Sequence, residues 1–464
     1  MIEHTADIQP VVDDSINMPS LTFTWRGESW NLVSTTSYFS RDTRDVEDST
    51  EGTAQYWETT IPQGFAWTAH HKLRQISHET RLAFHPPDSN LSGTIGFFHA
   101  RSRGTFSIDR IEGLLGDAPG TMSLLWEQMS QTTHNDRAMF TELDYKFAEK
   151  WTLTLGDRYY WLDQSNDLTF DITSTHFASK NNNKDSGHTP KLALSYQPSE
   201  QAQVYASGSQ GFRAGGAQLD PTGFGCESSL DEMGQTAQSI TKIKADTLTS
   251  IELGGKIDFP NPGLLLSGSL FRINWDRIQQ PLFLASCGFY LQGNAGAARI
   301  NGGEFELAGH VTPAWKIRAG AGYQDARITK QGLTGQPVGS RVYQTPKWNG
   351  TLGNVYTTRL NETRTAFGSV DSSYTGDSIS ANAAPGINLK RQGYALVNAR
   401  AGVGWDKSEL ALNVHNVGNS RPNLGDIGYI GYTRWVDPPA NTVPLPQVVT
   451  LPPRNFMIQY RQSF

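Results

Sequence analysis

A two-residue period recurs along this chain, separated by connections that alternate between short and long, and this constrains the fold more than any other feature. Leu410, Leu412 and Val414 alternate with Ala411, Asn413 and His415, and Phe456, Ile458 and Tyr460 alternate with Met457, Gln459 and Arg461. The same pattern runs through Val397–Trp405, Ile317–Tyr323 and Trp151–Leu155. It is strand geometry, with one apolar face and one polar face. Taken alone it also fits a soluble β-sandwich with one wet face. The connections separate the two. Short turns such as Gly27-Glu28-Ser29, Pro260-Asn261-Pro262-Gly263 and Asp406-Lys407-Ser408 alternate with long polar stretches near 43–72, 105–133, 164–186, 213–245, 279–296, 329–344, 376–390 and 419–453. Successive strands of an antiparallel barrel run in opposite directions, so odd and even connections emerge at opposite rims. A sandwich has no reason to sort its loops in this way. The expected fold is therefore all-β: a transmembrane antiparallel β-barrel of about 17 strands, with tight periplasmic turns and long extracellular loops.

Composition removes other classes. No apolar run exceeds four residues, as in Leu282–Ala285 and Tyr394–Val397, whereas a membrane-spanning helix needs about 18 or more. Aromatic residues make up 11% of the chain against a net charge of only −6, which argues against disorder. The acidic balance, without a basic stripe, argues against a nucleic-acid partner. No nucleophile elbow, phosphate loop or zinc-protease helix motif is present, so no catalytic residue is expected. His70, His71 and His78 are read as exposed histidines at a strand start rather than a metal centre. The acidic run from Asp42 to Glu51 is read as a solvated external loop.

The C-terminus adds a membrane signal. Tyr460 and the terminal Phe464 share a strand face, like the aromatic tail by which barrel-assembly machinery recognises its substrates. Trp25, Trp30, Tyr159, Tyr160, Trp161, Trp275, Trp315, Tyr323 and Trp405 fit aromatic girdles at headgroup level.

Six segments together resemble the C-terminal barrel of TonB-dependent outer-membrane receptors of the iron-complex type. They are Gln210-Gly-Phe-Arg-Ala-Gly-Gly-Ala217, Thr247-Leu-Thr-Ser-Ile-Glu-Leu-Gly-Gly-Lys256, Asn294-Ala-Gly-Ala-Ala-Arg-Ile-Asn-Gly-Gly-Glu-Phe-Glu306, Thr345-Pro-Lys-Trp-Asn349, Asn413-Val-His-Asn-Val-Gly-Asn419 and the closing strand Pro453–Phe464. The resemblance implies a barrel of about 22 strands with a plugged lumen, so residues 20–464 read as a barrel domain whose first strands and plug are absent. Residues 1–19 then read as the remnant of an extracellular loop. It further implies location in the bacterial outer membrane, uptake of a scarce small-molecule solute such as a ferric siderophore, no resident cofactor, and contact with TonB only through the absent plug region. Outer-membrane lipid and the barrel-assembly machinery are the other expected partners, and the protein is expected to be a monomer. A passive porin-like channel is the alternative function, and a soluble β-sandwich the more distant one.

Candidate residues follow from position. Cys226 and Cys287 are the only cysteines, both in long external loops, and the resemblance implies that they form a loop–loop disulfide. Ligand contact is expected from Arg213, Phe283, Phe289, Tyr290, Tyr343, Tyr429 and Tyr432. Glu252, Arg272, Arg299, Glu304, Glu306, Arg318, Arg400 and Arg461 are expected to line the lumen.

Overall fold

The computed structural model describes residues 11–48, 65–114, 122–124, 126–172, 175–222, 224–284, 286–287, 289–294, 296–333, 336–380, 390–426 and 448–463. Among them runs one large antiparallel sheet in which each strand pairs with its neighbours in sequence. When strands interrupted by a proline or a short break are counted once, the described residues give seventeen wall strands. The first seven are β1 (Val11–Asn17 and Ser20–Arg26), β2 (Trp30–Asp48), β3 (Phe65–Phe84), β4 (Leu91–Leu114), β5 (Trp126–Phe147), β6 (Trp151–Ile172) and β7 (Thr175–His188 and Lys191–Ser199). There follow β8 (Ala202–Arg213), β9 (Asp246–Phe259), β10 (Leu264–Asp276), β11 (Ala297–Thr312) and β12 (Trp315–Lys330). The wall ends with β13 (Trp348–Arg359), β14 (Arg364–Thr375), β15 (Tyr394–Trp405), β16 (Ser408–His415) and β17 (Asn455–Gln462).

The faces follow from register, because directly opposed residues share a side. One face carries a continuous apolar field. Ile251 and Leu253 on β9, Leu270 on β10, Phe305 on β11, Leu352 on β13 and Val370 on β14 are all exposed there. Two aromatic rows bound it. Trp25, Phe147, Trp315, Tyr356 and Tyr460 lie near the short turns, and Trp161, Tyr323, Trp348 and Tyr374 lie toward the long loops. Trp315 and Tyr356 oppose each other in one row, Tyr323 and Trp348 in the other. A strand tilted by about 40° gains roughly 2.5 Å of height per residue. Eight residues separate Trp315 from Tyr323, close to the span of an apolar band about 25 Å tall. The apolar face therefore faces lipid and the opposite face is the inner one.

Several stretches expected to be loops are strand. β4, β5 and β6 run 24, 22 and 22 residues, at least twice the ~9–11 needed to cross a bilayer. The polar stretch 164–186 is expected as a long loop, but its described residues, 164–172 and 175–186, form a ladder in which Asn166 opposes Asn181 and Leu168 opposes Ser179. Most of the acidic run likewise belongs to β2, which continues to Asp48. Residues 11–17, expected within a loop remnant, form the first part of β1 and pair with β2 from Val11↔Val46 to Asn17↔Ser40. Pro19 interrupts that strand at the sheet edge, where a missing N–H costs no ladder bond. Among the described residues β1 and β17 are each paired on one side only, and both are exposed along their whole length.

Candidate functional site: a stapled cap on the protruding wall

The chain between β8 and β9 and the hairpin between β10 and β11 fold together above the inner face. The first contributes two short helices, Glu227–Glu232 and Ala237–Ile240. The second is a ribbon, Gln279–Leu284 paired with Phe289–Asn294. Cys226 and Cys287 are disulfide-bonded. Around them Cys226, Leu230, Ile240, Leu282, Leu284 and Leu291 form a buried apolar cluster, with Leu219, Phe224, Met233 and Leu333 packed against it. The cap thus has a small core of its own.

It docks on the tall hairpin of β6 and β7. Wall side chains donate to cap carbonyls: Asn166 to Ala217 O at 3.4 Å, Asn181 to Gln218 O at 2.8 Å and Asn183 to Ile243 O at 3.3 Å. Phe212, where β8 leaves the wall, stacks on Tyr160 with centroids 3.7 Å apart. A cavity of about 100 Å³ remains at the junction, lined by Leu168, Phe170 and Phe177 of the wall and Leu219, Asp220 and Phe224 of the cap.

Two motif glycines have a steric reason. A Cβ on Gly215 would lie 2.1 Å from Ile243 O, and one on Gly296 would lie 2.0 Å from Lys330 O. Gly296 also has φ +79°, a region that side chains disfavour. Beside it Asn294 ties the hairpin to the first segment. Its Oδ1 accepts from Lys244 N at 2.9 Å, and its Nδ2 donates to Lys244 O at 2.9 Å and Arg277 O at 2.8 Å.

At the base of the cap, Asp246 is fully buried. Its Oδ2 accepts from Arg213 Nε at 3.1 Å, from Arg213 Nη2 at 2.5 Å and from the Gln279 backbone amide at 3.2 Å. Arg213 also donates to Gln279 O at 2.9 Å and lies over the Trp275 ring. Its guanidinium is therefore committed to a latch between wall and cap, which differs from its expected role in ligand contact. Asp246, Asn294 and Gln218 are latch residues that reading by position passed over. Asn294 opens one recognised motif, and Asp246 and Gln218 directly border two others, which is the signal that could have marked them. Gln218 bridges Ile240 O and Gln292 O, both at 2.6 Å.

The remaining expected contact residues scatter. Phe283 and Tyr290 are directly opposed on the cap ribbon, and Phe289 opposes Leu284. Tyr343 lies in the connection after β12. Tyr429, Tyr432 and Phe464 lie outside the described residues. Tyr460 sits on the lipid face near Trp405, with centroids 6.5 Å apart.

Of the eight expected lumen residues, six are on the inner face. Glu252 accepts from the Tyr205 hydroxyl, and Glu304 and Glu306 oppose Ser269 and Ser267. Arg318 opposes Ala308, Arg400 binds Glu409 at 2.5 Å and lies over Phe367, and Arg461 opposes Glu409. Arg272 and Arg299 are corrections. Register puts Arg272 opposite Ile251 and Asn301, and Arg299 opposite Asn274, on the outer face just above the upper aromatic row. There they bind Asn301 at 2.8 Å and Asn274 at 3.1 Å. Above the lipid the outer wall meets water, so polarity no longer identifies the lumen side.

The histidines also sort by face. His70 binds Asp42 at 2.6 Å on the outer face, His78 sits between Thr36 and Thr80, and His71 lies 3.7 Å from Asp45 inside. His71 lies against the Phe106 ring with centroids 4.6 Å apart and the planes tilted by 38°, and it borders an open inner groove of about 530 Å³ with Arg41, Asp45, Glu47 and Thr132. That volume is within the range of small-molecule sites.

Comparison with known proteins places this architecture. The family model for the TonB dependent receptor-like β-barrel matches residues 5–417. A probable TonB-dependent siderophore receptor, PiuA of Acinetobacter baumannii, is 25% identical over 291 residues, covering 60% of this chain and 36% of the relative. The catecholate siderophore receptor Fiu of Escherichia coli K12 is 27% identical over 180 residues, 38% of this chain and 22% of Fiu. Among solved structures, the ferric yersiniabactin uptake receptor FyuA of Yersinia pestis superposes with a TM-score of 0.76 at 14% identity. That match covers 98% of this chain and 62% of FyuA. The chain thus spans about a third or less of the curated relatives it matches here.

Proposed function

The chain belongs to the TonB-dependent receptor-like β-barrel family, and we propose that it forms the greater part of the membrane wall of a receptor for a scarce solute, a ferric siderophore complex. Its place is the outer membrane of a Gram-negative bacterium. The cap carries the reading. A passive pore has no use for a disulfide-stapled domain latched over its inner face, whereas a receptor needs a surface that meets its ligand before passage. The relatives named above are receptors for siderophores, which supports the ligand class. In a bilayer every backbone group must be paired, and here β1 and β17 each leave one edge open among the described residues. We therefore read the wall as completed by further strands and the lumen as filled by a plug, through which TonB acts. Glu252, Glu304, Glu306, Arg318, Arg400 and Arg461 are the inner-wall charges that such a plug or a passing solute would meet.

The test is uptake of radiolabelled ferric siderophores by cells lacking their own receptors and supplied with the full-length gene. Accumulation that disappears on deletion of TonB is the expected result. Uptake of the same size without TonB, together with a large steady conductance in planar bilayers, would favour the passive-channel reading instead.

A further inference from the structure

The outer wall just above the lipid band carries its charges in two different ways. Around most of it, described basic residues have acidic or amide partners. Lys180 pairs with Asp167 at 3.1 Å, Lys184 with Asp163 at 3.8 Å, Arg327 with Asp325 at 3.0 Å, and Arg272 with Asn301. On β3, β4 and β5 the pattern breaks. Arg74 and Arg103 are directly opposed, a like-charge pairing that a sheet ordinarily avoids. Two residues nearer the lipid, Arg101 opposes Ile76 on one side and Asn135 on the other. Arg137, the next same-face residue below Asn135, opposes His99 and Trp161. All four arginines are exposed. Among the described residues none has an ion pair or a side-chain hydrogen bond. Two acidic groups on that face border the cluster, and each has a basic partner: Asp42 is held by His70 and Lys72, and Asp163, opposite Asn135 and beside Arg137, pairs with Lys184 at 3.8 Å. His78 and His99, opposed to each other, and Tyr38, opposite Ile76, are further titratable groups at its border.

Its height matters as much as its charge. Arg74, Arg101 and Arg137 each lie ten residues along the strand from the aromatic or apolar residue at the short-turn end, Phe84, Leu91 and Phe147 respectively. At roughly 2.5 Å of height per residue this equals the ~25 Å apolar band. The guanidinium groups therefore stand at the upper headgroup plane, with Ile76, Met139 and Trp161 exposed on the same face beside them.

On the premise that this wall spans the outer membrane, we infer that Arg74, Arg101, Arg103 and Arg137 form a binding site for the phosphate groups of a phosphorylated lipid of the outer leaflet, whose acyl chains lie on the apolar face below. Guanidinium groups suit this role because each presents planar, paired donors to a phosphate. A doubly phosphorylated headgroup would also remove the repulsion between Arg74 and Arg103. Charge complementarity and continuity with the lipid face select a lipid over a soluble anion, which would gain nothing from the apolar surface beneath.

The experiment uses the full-length protein in detergent micelles, with bis-phosphorylated lipid A, dephosphorylated lipid A and inorganic phosphate as probes, read by native mass spectrometry. Lipid A retained by the wild type, weakened about tenfold or more in the Arg101→Gln/Arg103→Gln double variant and unchanged in Lys184→Gln, is the expected result. Heat-modifiable electrophoretic mobility shows that each variant remains a folded barrel. Equal retention of the dephosphorylated lipid, or by the folded double variant, would overturn the site. Displacement by inorganic phosphate at equal concentration would overturn its assignment to lipid. A wild-type protein that fails to insert into bilayers would overturn the membrane reading, and this site with it.

Discussion

The lower and upper halves of the same strands obey opposite rules. On β6, Trp151, Leu153, Leu155, Tyr159 and Trp161 share the lipid face, while Thr152, Thr154 and Arg158 face inward. Above Trp161 the apolar residues change side. Leu162, Leu168 and Phe170 are buried on the inner face, and Asp163, Ser165, Asp167 and Asp171 take the outer one. The switch follows from what each face meets. Below, lipid outside and water inside favour an apolar exterior. Above, water surrounds the wall and the cap covers its inner side, so apolar burial moves inward. The band is specified by its solvent; the rim is specified by a particular partner segment.

The largest expected effect comes from removing the staple of that partner segment. A disulfide closing a loop of this length, with a sequence separation of 61, contributes about 4 kcal/mol in the chain-entropy account. Cys226→Ser with Cys287→Ser is expected to raise amide hydrogen exchange throughout the cap and on the inner-facing tops of β6 and β7. Exchange in the band should not change. If exchange rose equally in the band, rim and band would be one cooperative unit and the contrast would fail.

Next comes a charge placed on each side of the boundary. Leu253 is exposed on the lipid face near mid-height, so Leu253→Lys should destabilise the folded protein in vesicles by about 2–4 kcal/mol. Asn182, on the outer face of β7 above the band and opposite Ser165, should accept Lys within about 0.5 kcal/mol. Urea unfolding in the same vesicles compares them. Equal losses would remove the reason for assigning lipid to one level and water to the other.

The same division explains what could be read from sequence. In the band, period two and sorted turns were enough to indicate the barrel and its approximate strand number. In the rim they misled. Residues 164–186 looked like a loop because the apolar stripe changes face at Trp161–Leu162 and the cap residues it meets are 37 to 60 residues away in sequence. Arg272 and Arg299 were placed inside because polarity was taken as a marker of face beyond the level where it holds. The cysteine pairing rested on the family resemblance alone. Arg101 and Arg103 were visible as a same-face pair, but their partner Arg74 becomes apparent only through the register of β3 with β4.

A smaller effect is expected at the latch. Arg213→Ala would leave the buried Asp246 carboxylate with the Gln279 amide as its remaining partner. Leaving a buried charged acceptor short of donors costs about 1–3 kcal/mol. The loss should be confined to cap opening, seen as faster exchange at residues 214–222 and 279–284, with band stability unchanged. Arg213→Lys should recover part of it, since it restores the charge without the two-pronged donor geometry. A cap as protected in Arg213→Ala as in the wild type would mean that the disulfide and the Asn294 bonds hold the junction without the latch.

The smallest effect depends on pH and belongs to the second rim connection. Arg341 donates to Asp377 Oδ2 at 2.9 Å and to its backbone oxygen at 2.7 Å, and Lys390 lies 3.6 Å from the same carboxylate. The hydrogen bond from Arg341 holds the Asp377 carboxyl below its ordinary value of 3.8; partial burial works against this and the charge of Lys390 with it. A carboxyl depressed on folding stabilises the folded state at all pH values above its unfolded pKa and loses that contribution as pH falls through the folded one. Protease sensitivity of the connection between β12 and β13 should therefore be flat from neutral pH to about pH 5. It should rise only below the ordinary carboxylate range, and Asp377→Asn should remove that rise. The carboxylate is more than a third exposed, so the change should be small and weakened by salt. The inner wall of the band carries its own carboxylates, Glu252, Glu304, Glu306 and Glu409, so Asp377→Asn is the control that isolates this contact. A rise that persists unchanged in Asp377→Asn would show that acid acts on the wall as a whole and not on this contact.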